Sequence, residues 1–343
     1  MNKNKIVVSI IGAGRWGPNI LGALSQLSQV EVRSICDLNE NSLKAIEARY
    51  PTLKTTSNLD DILQDRQIDM VCVATPVKTH FTIAQKVLEA GKHLFVEKPL
   101  CPSVEECNKL LKLAETKKLK LMVGHVFLFN PTIQKVKQIL DSGELGRLYY
   151  IETHRTNLGP VREDVNAIWD LTSHDISIFN YLLDAIPHKV SANGCKALDG
   201  KVEDTTFTSL VYPHGVLAHA HASWLNPLKV RQMTIVGENK MLTWDDIDLT
   251  KPIQIFDSSI NISGEQISDS FTRHRLEYHR GDVLIPAVLM GEPLKIEMES
   301  FVNAIINNEG HLSDGAFSRD VVEILEASDQ SLLSKGEFIE LKI

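Results

Sequence analysis

Short apolar runs alternate with segments of helical periodicity along the first third of the chain. Residues 5–11 form a β-branched run, and residues 18–28 carry Ile20, Leu21, Leu24 and Leu27 on one helical side. The pattern then predicts a strand over 30–36, a helix over 39–50, a buried strand over 69–74 and a helix over 78–90 closed by Gly91. A strand over 93–97, a long helix opened by the Ser103/Glu106 capping box and a strand over 119–123 follow. Strands without apolar/polar alternation are covered on both faces, and strands separated by helices pair in parallel through right-handed crossovers. The expected fold class is α/β, with a doubly wound parallel Rossmann sheet over residues 1–125.

Beyond His125 the pattern changes. Asn130-Pro131 starts a helix that Gly143 closes, and a helix is expected over 169–183. Between 189 and 256, strand-like segments follow one another across short turns, one of them Pro213-His214-Gly215. Helices over 298–308 and 317–334 and a strand over 337–343 close the chain. Clustered strands without intervening helices predict an antiparallel sheet, so 126–343 is expected to be a second, α+β domain.

Composition narrows the function. The 343 residues are 43% hydrophobic, enough for two cores. A formal net charge of -8 argues against sequence-independent nucleic-acid binding, which needs dense Lys/Arg coverage. The 5 cysteines form no C-x-x-C pair, and Cys36 and Cys72 fall in predicted buried strands, as inert thiols in a reducing cytoplasm would. Lys3 and Lys5 before an apolar run imitate a secretory signal, but Gly12, Gly14, Arg15 and Trp16 interrupt it. No apolar stretch is long enough to span a bilayer. A cytoplasmic protein without membrane or nucleic-acid partners is expected. His219 and His221 alternate on a strand, but two ligands are too few for a metal site, and none is expected.

Gly12-Ala13-Gly14-Arg15-Trp16-Gly17 is a G-x-G-x-x-G between a buried strand and a helix, the context in which the pattern binds a dinucleotide. The glycines give the tight turn, the close approach of the pyrophosphate and the close strand–helix packing. The helix N-terminus supplies unpaired N–H groups to the phosphates. Asp37, about 20 residues further on, suits the ribose hydroxyls and repels a 2′-phosphate, so NAD is the expected cofactor.

Two further segments carry chemistry: Glu97-Lys98-Pro99 after the fifth predicted strand, and Trp169-Asp170-Leu171-Thr172-Ser173-His174-Asp175 opening a helix. With the glycine loop and Ala74-Thr75-Pro76-Val77-Lys78-Thr79-His80, they resemble the glucose–fructose oxidoreductase/inositol dehydrogenase (Gfo/Idh/MocA) family over essentially the whole chain. The resemblance implies a second domain with an open, mostly antiparallel sheet, a homodimer or homotetramer built on that sheet, and an active site between the domains. It implies Lys98, Asp170 and His174 as catalytic groups, and cofactor contacts from Arg15, Trp16, Thr75, Pro76, His80 and Glu97 as well as Lys98. Oxidation of a secondary alcohol leaves a proton to be handled. His174 suits a general base, Asp170 could orient it, and Lys98 could stabilise the alkoxide or act as the base itself.

The stretches 124–131, 155–159 and 164–170 resemble UDP-N-acetylglucosamine 3-dehydrogenases more than inositol dehydrogenases. The expected substrate is therefore a sugar nucleotide oxidised at C3 of a UDP-N-acetylhexosamine. An inositol or simple sugar is the alternative within the class, and a non-catalytic NAD sensor or scaffold the alternative outside it. Arg155 and Asn157 share a strand face and could contact sugar or diphosphate. Arg162, His125 and Trp169 are substrate candidates, with a solvated or structural role as the alternative for each.

Overall fold

The computed structural model describes residues 5–198, 200–263 and 275–342. Lys3, and Ile343 at the expected end of the last strand, lie outside the described residues. The chain divides into two compact units, Met1–Asn130 with Gly291–Glu326, and Pro131–Met290 with Ala327–Ile343. Where the sequence pattern places one boundary after residue 125, with 126–343 continuous, the chain passes between units at three points. The apolar stripe of the penultimate helix belongs to the first core, which local periodicity cannot reveal.

The first unit contains β1 (Ile6–Ile11), α1 (Gly17–Leu24), β2 (Val30–Cys36), α2 (Glu40–Arg49), β3 (Lys54–Thr56) and α3 (Asp60–Leu63). It continues through β4 (Met70–Val73), α4 (His80–Glu89), β5 (His93–Glu97), α5 (Val104–Lys117) and β6 (Leu121–Gly124). All neighbours in the sheet are parallel, in the order β3-β2-β1-β4-β5-β6. This is the doubly wound order, with its switch point between β1 and β4. Val8, Ile10, Val71, Val73, Phe95 and Val96 are wholly buried, which explains their unbroken apolar runs. The Ser103 hydroxyl accepts the Glu106 N–H at 3.3 Å, so Ser103 caps α5 at the expected position.

The second unit holds α6 (Pro131–Asp141), β7 (Leu148–Leu158), α7 (Ser173–Leu183), β8 (Lys189–Cys195), β9 (Thr205–Val211), β10 (Leu217–Ser223) and β11 (Leu225–Gly237). β12 (Met241–Asp245), β13 (Ile253–Ser263) and β14 (Arg275–Leu284) extend its sheet. α8 (Pro293–Asn307) belongs to the first unit, and α9 (Gly315–Leu333) contributes to both. β15 (Ile339–Glu340) is shorter than the expected 337–343 strand and pairs with β8.

The nine-stranded sheet runs β14-β13-β12-β11-β7-β10-β9-β8-β15. Among the described residues, only β7 and β10 pair in parallel, and the other neighbours are antiparallel. Thr206, Thr208, Leu210, Ala218, Ala220 and Ala222 point to the buried face. Phe207 and His221 stack on the other face with ring centroids 4.5 Å apart. Tyr212 donates to the Asn180 side chain at 2.7 Å, and Trp244 Nε1 donates to Thr132 Oγ1 at 2.7 Å, tying α7 and α6 to the sheet.

Candidate active site

Three loops leave the first sheet beside its switch point, after β1, β4 and β5. Gly12 has φ +104°, and a Cβ there would lie 2.6 Å from the Ala74 carbonyl oxygen. A Cβ on Gly17 would lie 1.9 Å from the Gly12 carbonyl oxygen, while one on Gly14 would meet nothing within 4 Å. Gly12 and Gly17 are therefore required by the packing of loop, strand and helix, and Gly14 leaves a bare cradle over the start of α1. Pro18 at the beginning of α1 spares an N–H that has no helical partner. Asp37 accepts the Ala13 N–H at 2.6 Å and the Asn39 N–H at 2.7 Å, so its carboxylate also shapes the glycine loop. Arg15 and Trp16 are exposed at the loop's edge, Trp16 by 37%. This arrangement fits a pyridine dinucleotide: a glycine cradle, a free helix N-terminus and an acid at the end of β2.

After β4, Thr79 Oγ1 bonds the Thr75 hydroxyl at 2.8 Å and the Pro76 carbonyl at 2.7 Å, which fixes that loop. His80 is buried, with Nδ1 and Nε2 each 2.8 Å from a backbone carbonyl, those of Pro99 and Thr75 respectively. After β5 the Lys98–Pro99 peptide is cis. Burial pushes the Glu97 carboxyl up to about 7, opposed by the adjacent Lys98 charge. His125 follows β6 and is 1% exposed. Burial, then the Lys98 charge, push its pKa down to about 3. Its ring meets Phe317 edge-on at 5.7 Å, and among the described residues neither ring nitrogen has a hydrogen-bond partner.

Glu297 is a buried acid that the sequence reading passes over. It is 0% exposed, and among the described residues neither carboxylate oxygen has a partner. Burial, reinforced by Glu97, raises its pKa well above the ordinary glutamate value. The signal was present. Leu294, Glu297, Met298, Phe301 and Val302 form one helical stripe, but a helix expected to begin at 298 leaves Glu297 outside it.

In the second unit, Trp169 and Asp170 lie on a π-helical turn, Ile168–Thr172, which runs directly into α7 with His174 in its first turn. Single π turns gather at functional sites. Arg162 Nη1 donates to Asp170 Oδ1 at 3.2 Å, and Trp224 Nε1 donates to Asp170 Oδ2 at 3.1 Å. Arg162 also grips Asp164 at 2.7 and 2.9 Å, and these carboxylates raise its pKa. Trp224, absent from the sequence-based candidates, thus sits beside Asp170, buried with Ala167 and Ala222. Trp169 Nε1 donates to Asp329 at 2.7 Å, and Asn166 donates to the other oxygen at 2.8 Å. Trp169 therefore anchors the π turn.

Arg155 departs from expectation. It is buried and forms an ion pair with Asp175, with hydrogen bonds of 2.9, 3.1 and 3.1 Å. The guanidinium ties β7 to the start of α7, next to His174, and is buried instead of facing solvent. Asn157, on the same strand face, donates to the Gly159 carbonyl. Strand alternation correctly places the two together but cannot say which face is covered by a helix.

These features define an NAD-binding Rossmann unit joined to a unit with an open, mostly antiparallel sheet. The model of the oxidoreductase family with an NAD-binding Rossmann fold, Gfo/Idh/MocA, matches residues 6–125, and that of the Gfo/Idh/MocA C-terminal domain matches 133–243. The chain belongs to the Gfo/Idh/MocA family of oxidoreductases. UDP-N-acetylglucosamine 3-dehydrogenase of Acidithiobacillus ferrooxidans is 27% identical over 330 residues, covering 92% of this chain and 93% of its own. Inositol 2-dehydrogenase of Rhizobium meliloti is 28% identical over 200 residues, covering 57% of this chain and 60% of its own. In fold, the chain is similar to the WlbA dehydrogenase of Bordetella pertussis solved with NADH and UDP-GlcNAcA, with a TM-score of 0.80, 22% identity and 99% of each chain covered. Among the described residues, no helix is long and apolar enough to cross a membrane.

Proposed function

We propose that this oxidoreductase oxidises the C3 hydroxyl of a UDP-N-acetylhexosamine to a ketone. The observation that carries this reading is the cluster on the π turn, where the Arg162 guanidinium and the Trp224 indole hold Asp170 four residues before His174. A carboxylate four residues before a histidine supports the handling of a hydroxyl proton, and a guanidinium beside them supports a substrate rich in oxygen acceptors. The long match to a UDP-N-acetylglucosamine 3-dehydrogenase across both units supports the substrate class.

NAD, when bound, accepts the hydride from the substrate carbon. Gly12, Gly14, Gly17 and the start of α1 would hold its pyrophosphate, and Asp37 its adenosine ribose. Arg15, Trp16, Thr75, Pro76 and Glu97 would line the remaining length. Lys98 donates a hydrogen bond to the reacting oxygen and stabilises the charge that develops there. His174 takes up the hydroxyl proton, because an imidazole titrates near neutrality. Arg155, through Asp175, fixes the helix end on which His174 rides. Arg162, already paired with Asp164 and Asp170, holds the Asp170 carboxylate in place and would offer a guanidinium N–H to a substrate oxygen beside it.

The test is a panel of UDP-sugars, free sugars and inositols with NAD, read by NADH absorbance. Turnover of UDP-N-acetylhexosamines above all others is expected. Turnover of free inositol alone would replace the reading with that of an inositol dehydrogenase. Cofactor binding without turnover of any polyol or sugar nucleotide would leave an NAD sensor.

A further inference from the structure

His80 opens α4 and is only 1% exposed. Its two ring nitrogens reach carbonyls on two different loops, Thr75 after β4 and Pro99 after β5, both at 2.8 Å. These strands are neighbours in the sheet, so both loops leave it side by side at its C-terminal edge. Open α/β sheets bind their ligands at that edge. A ring occupied at both nitrogens and sealed from solvent has no polar atom left for a cofactor. Proline has no N–H, so the turn after Lys98 lacks one of the backbone donors that would otherwise anchor it. The Pro99 carbonyl is the first acceptor beyond the lysine, and His80 meets it.

We propose that His80 is a positioning residue: it clasps the Lys98–Pro99 turn to the Thr75–Pro76 loop and so sets where the Lys98 ammonium stands relative to a bound dinucleotide. This rests on the reading of Lys98 as a catalytic group, and it replaces the expectation that His80 touches the cofactor. Both partners are carbonyl acceptors, so the full clasp is made by the imidazolium, which is rigid and carries an N–H donor on each of two sides. A neutral ring donates to only one of them. Burial lowers the pKa of the ring, and the carbonyls it bonds oppose that shift. Phenylalanine fills similar space without either bond. The asparagine amide reaches about as far as Nδ1, on the Pro99 side, and the glutamine amide about as far as Nε2, on the Thr75 side.

The experiment compares wild type with His80→Phe, His80→Asn and His80→Gln, each checked for folding by circular dichroism. NADH affinity is measured by fluorescence titration. The reactivity of Lys98 is measured by competitive acetylation with acetic anhydride and mass spectrometry, which needs no substrate. Turnover is measured with UDP-N-acetylglucosamine. For His80→Phe we expect NADH affinity within about threefold of wild type, an altered Lys98 acetylation rate, and kcat lower by on the order of a hundredfold, the cost of an ångström-scale misplacement. His80→Asn, which keeps the bond to the Pro99 carbonyl but not the one to Thr75, should recover part of the Lys98 reactivity and of kcat, and more than His80→Gln, which keeps only the Thr75 side. If His80→Phe fails to fold, the contrast between Asn and Gln decides. Altered acetylation with unchanged turnover would keep the clasp and remove Lys98 from catalysis. Wild-type acetylation in all folded variants would overturn the proposal, as would loss of NADH binding with Lys98 reactivity unchanged.

Discussion

Replacing Arg155 with methionine tests whether this arginine is a buried strut or a ligand contact. Its guanidinium is 4% exposed and the facing Asp175 carboxylate 2% exposed, with three hydrogen bonds between them. Removing one partner of a buried pair leaves an uncompensated charge and costs about 3–5 kcal/mol. Asp175 lies in the first turn of α7, where the helix dipole stabilises an anion by about 0.3–1 kcal/mol. Arg155→Met therefore belongs toward the lower end of that range. At about 2–4 °C per kcal/mol, the second unit should melt roughly 6–12 °C earlier. Trp169, Trp224 and Trp244 all lie in this unit, so tryptophan fluorescence during urea unfolding reports its stability. The double variant Arg155→Met/Asp175→Leu should regain most of the loss, because an apolar pair of similar volume substitutes for a buried ion pair at little net cost. A single variant within about 0.5 kcal/mol of wild type, with weakened substrate affinity, would refute the reasoning and return Arg155 to the ligand.

Further outcomes follow from the same geometry. Lys98→Ala and His174→Ala should each keep NADH binding in a fluorescence titration and lose on the order of a hundredfold or more in kcat, as removal of acid–base or charge-stabilising groups does; near-normal turnover in both would remove the assignment. Gly12→Ala should abolish NADH binding or folding of the first unit by calorimetry, because its Cβ would meet the Ala74 carbonyl at 2.6 Å and its φ is +104°. Folding raises the pKa of Glu97 to about 7 and lifts that of Glu297 as well, so the folded state holds protons that the unfolded chain has released. Stability from these groups is present below about pH 4.5 and declines as pH rises, by up to about 1.4 kcal/mol per pH unit for each group. Urea midpoints between pH 5 and 8 should fall less steeply in Glu297→Gln; an unchanged slope would show that Glu297 is not the buried acid described.

Much of the first unit was legible because its strands are buried on both faces and two of its helices, α2 and α5, are capped locally by Asn39 and Ser103. The glycine loop could be read for the same reason, since the collisions that demand Gly12 and Gly17 are with neighbours in the same βαβ unit. The second unit was harder. β13 and β14 carry Asp257, Ser258, Ser259, His279 and Arg280 within their pairing, which broke the apolar pattern expected to end at 256. The π turn at Ile168–Thr172 has no distinct periodicity, and partners far along the chain help hold it in place, Asp329 accepting from Asn166 and Trp169 and Trp224 donating to Asp170. Arg155 illustrates the limit of residue type as evidence, because its partner Asp175 decides its role. Glu297 escaped notice because the helix containing it belongs to a core built mostly from residues far earlier in the chain.

The central claim, that this chain removes hydrogen from C3 of a UDP-N-acetylhexosamine, is tested most directly with UDP-N-acetylglucosamine deuterated at that carbon. Incubated with NAD and the protein, it should yield NADH carrying the deuterium on its nicotinamide ring by mass spectrometry, together with a 3-keto sugar nucleotide. Unlabelled NADH, or no NADH while an inositol is turned over, would contradict it.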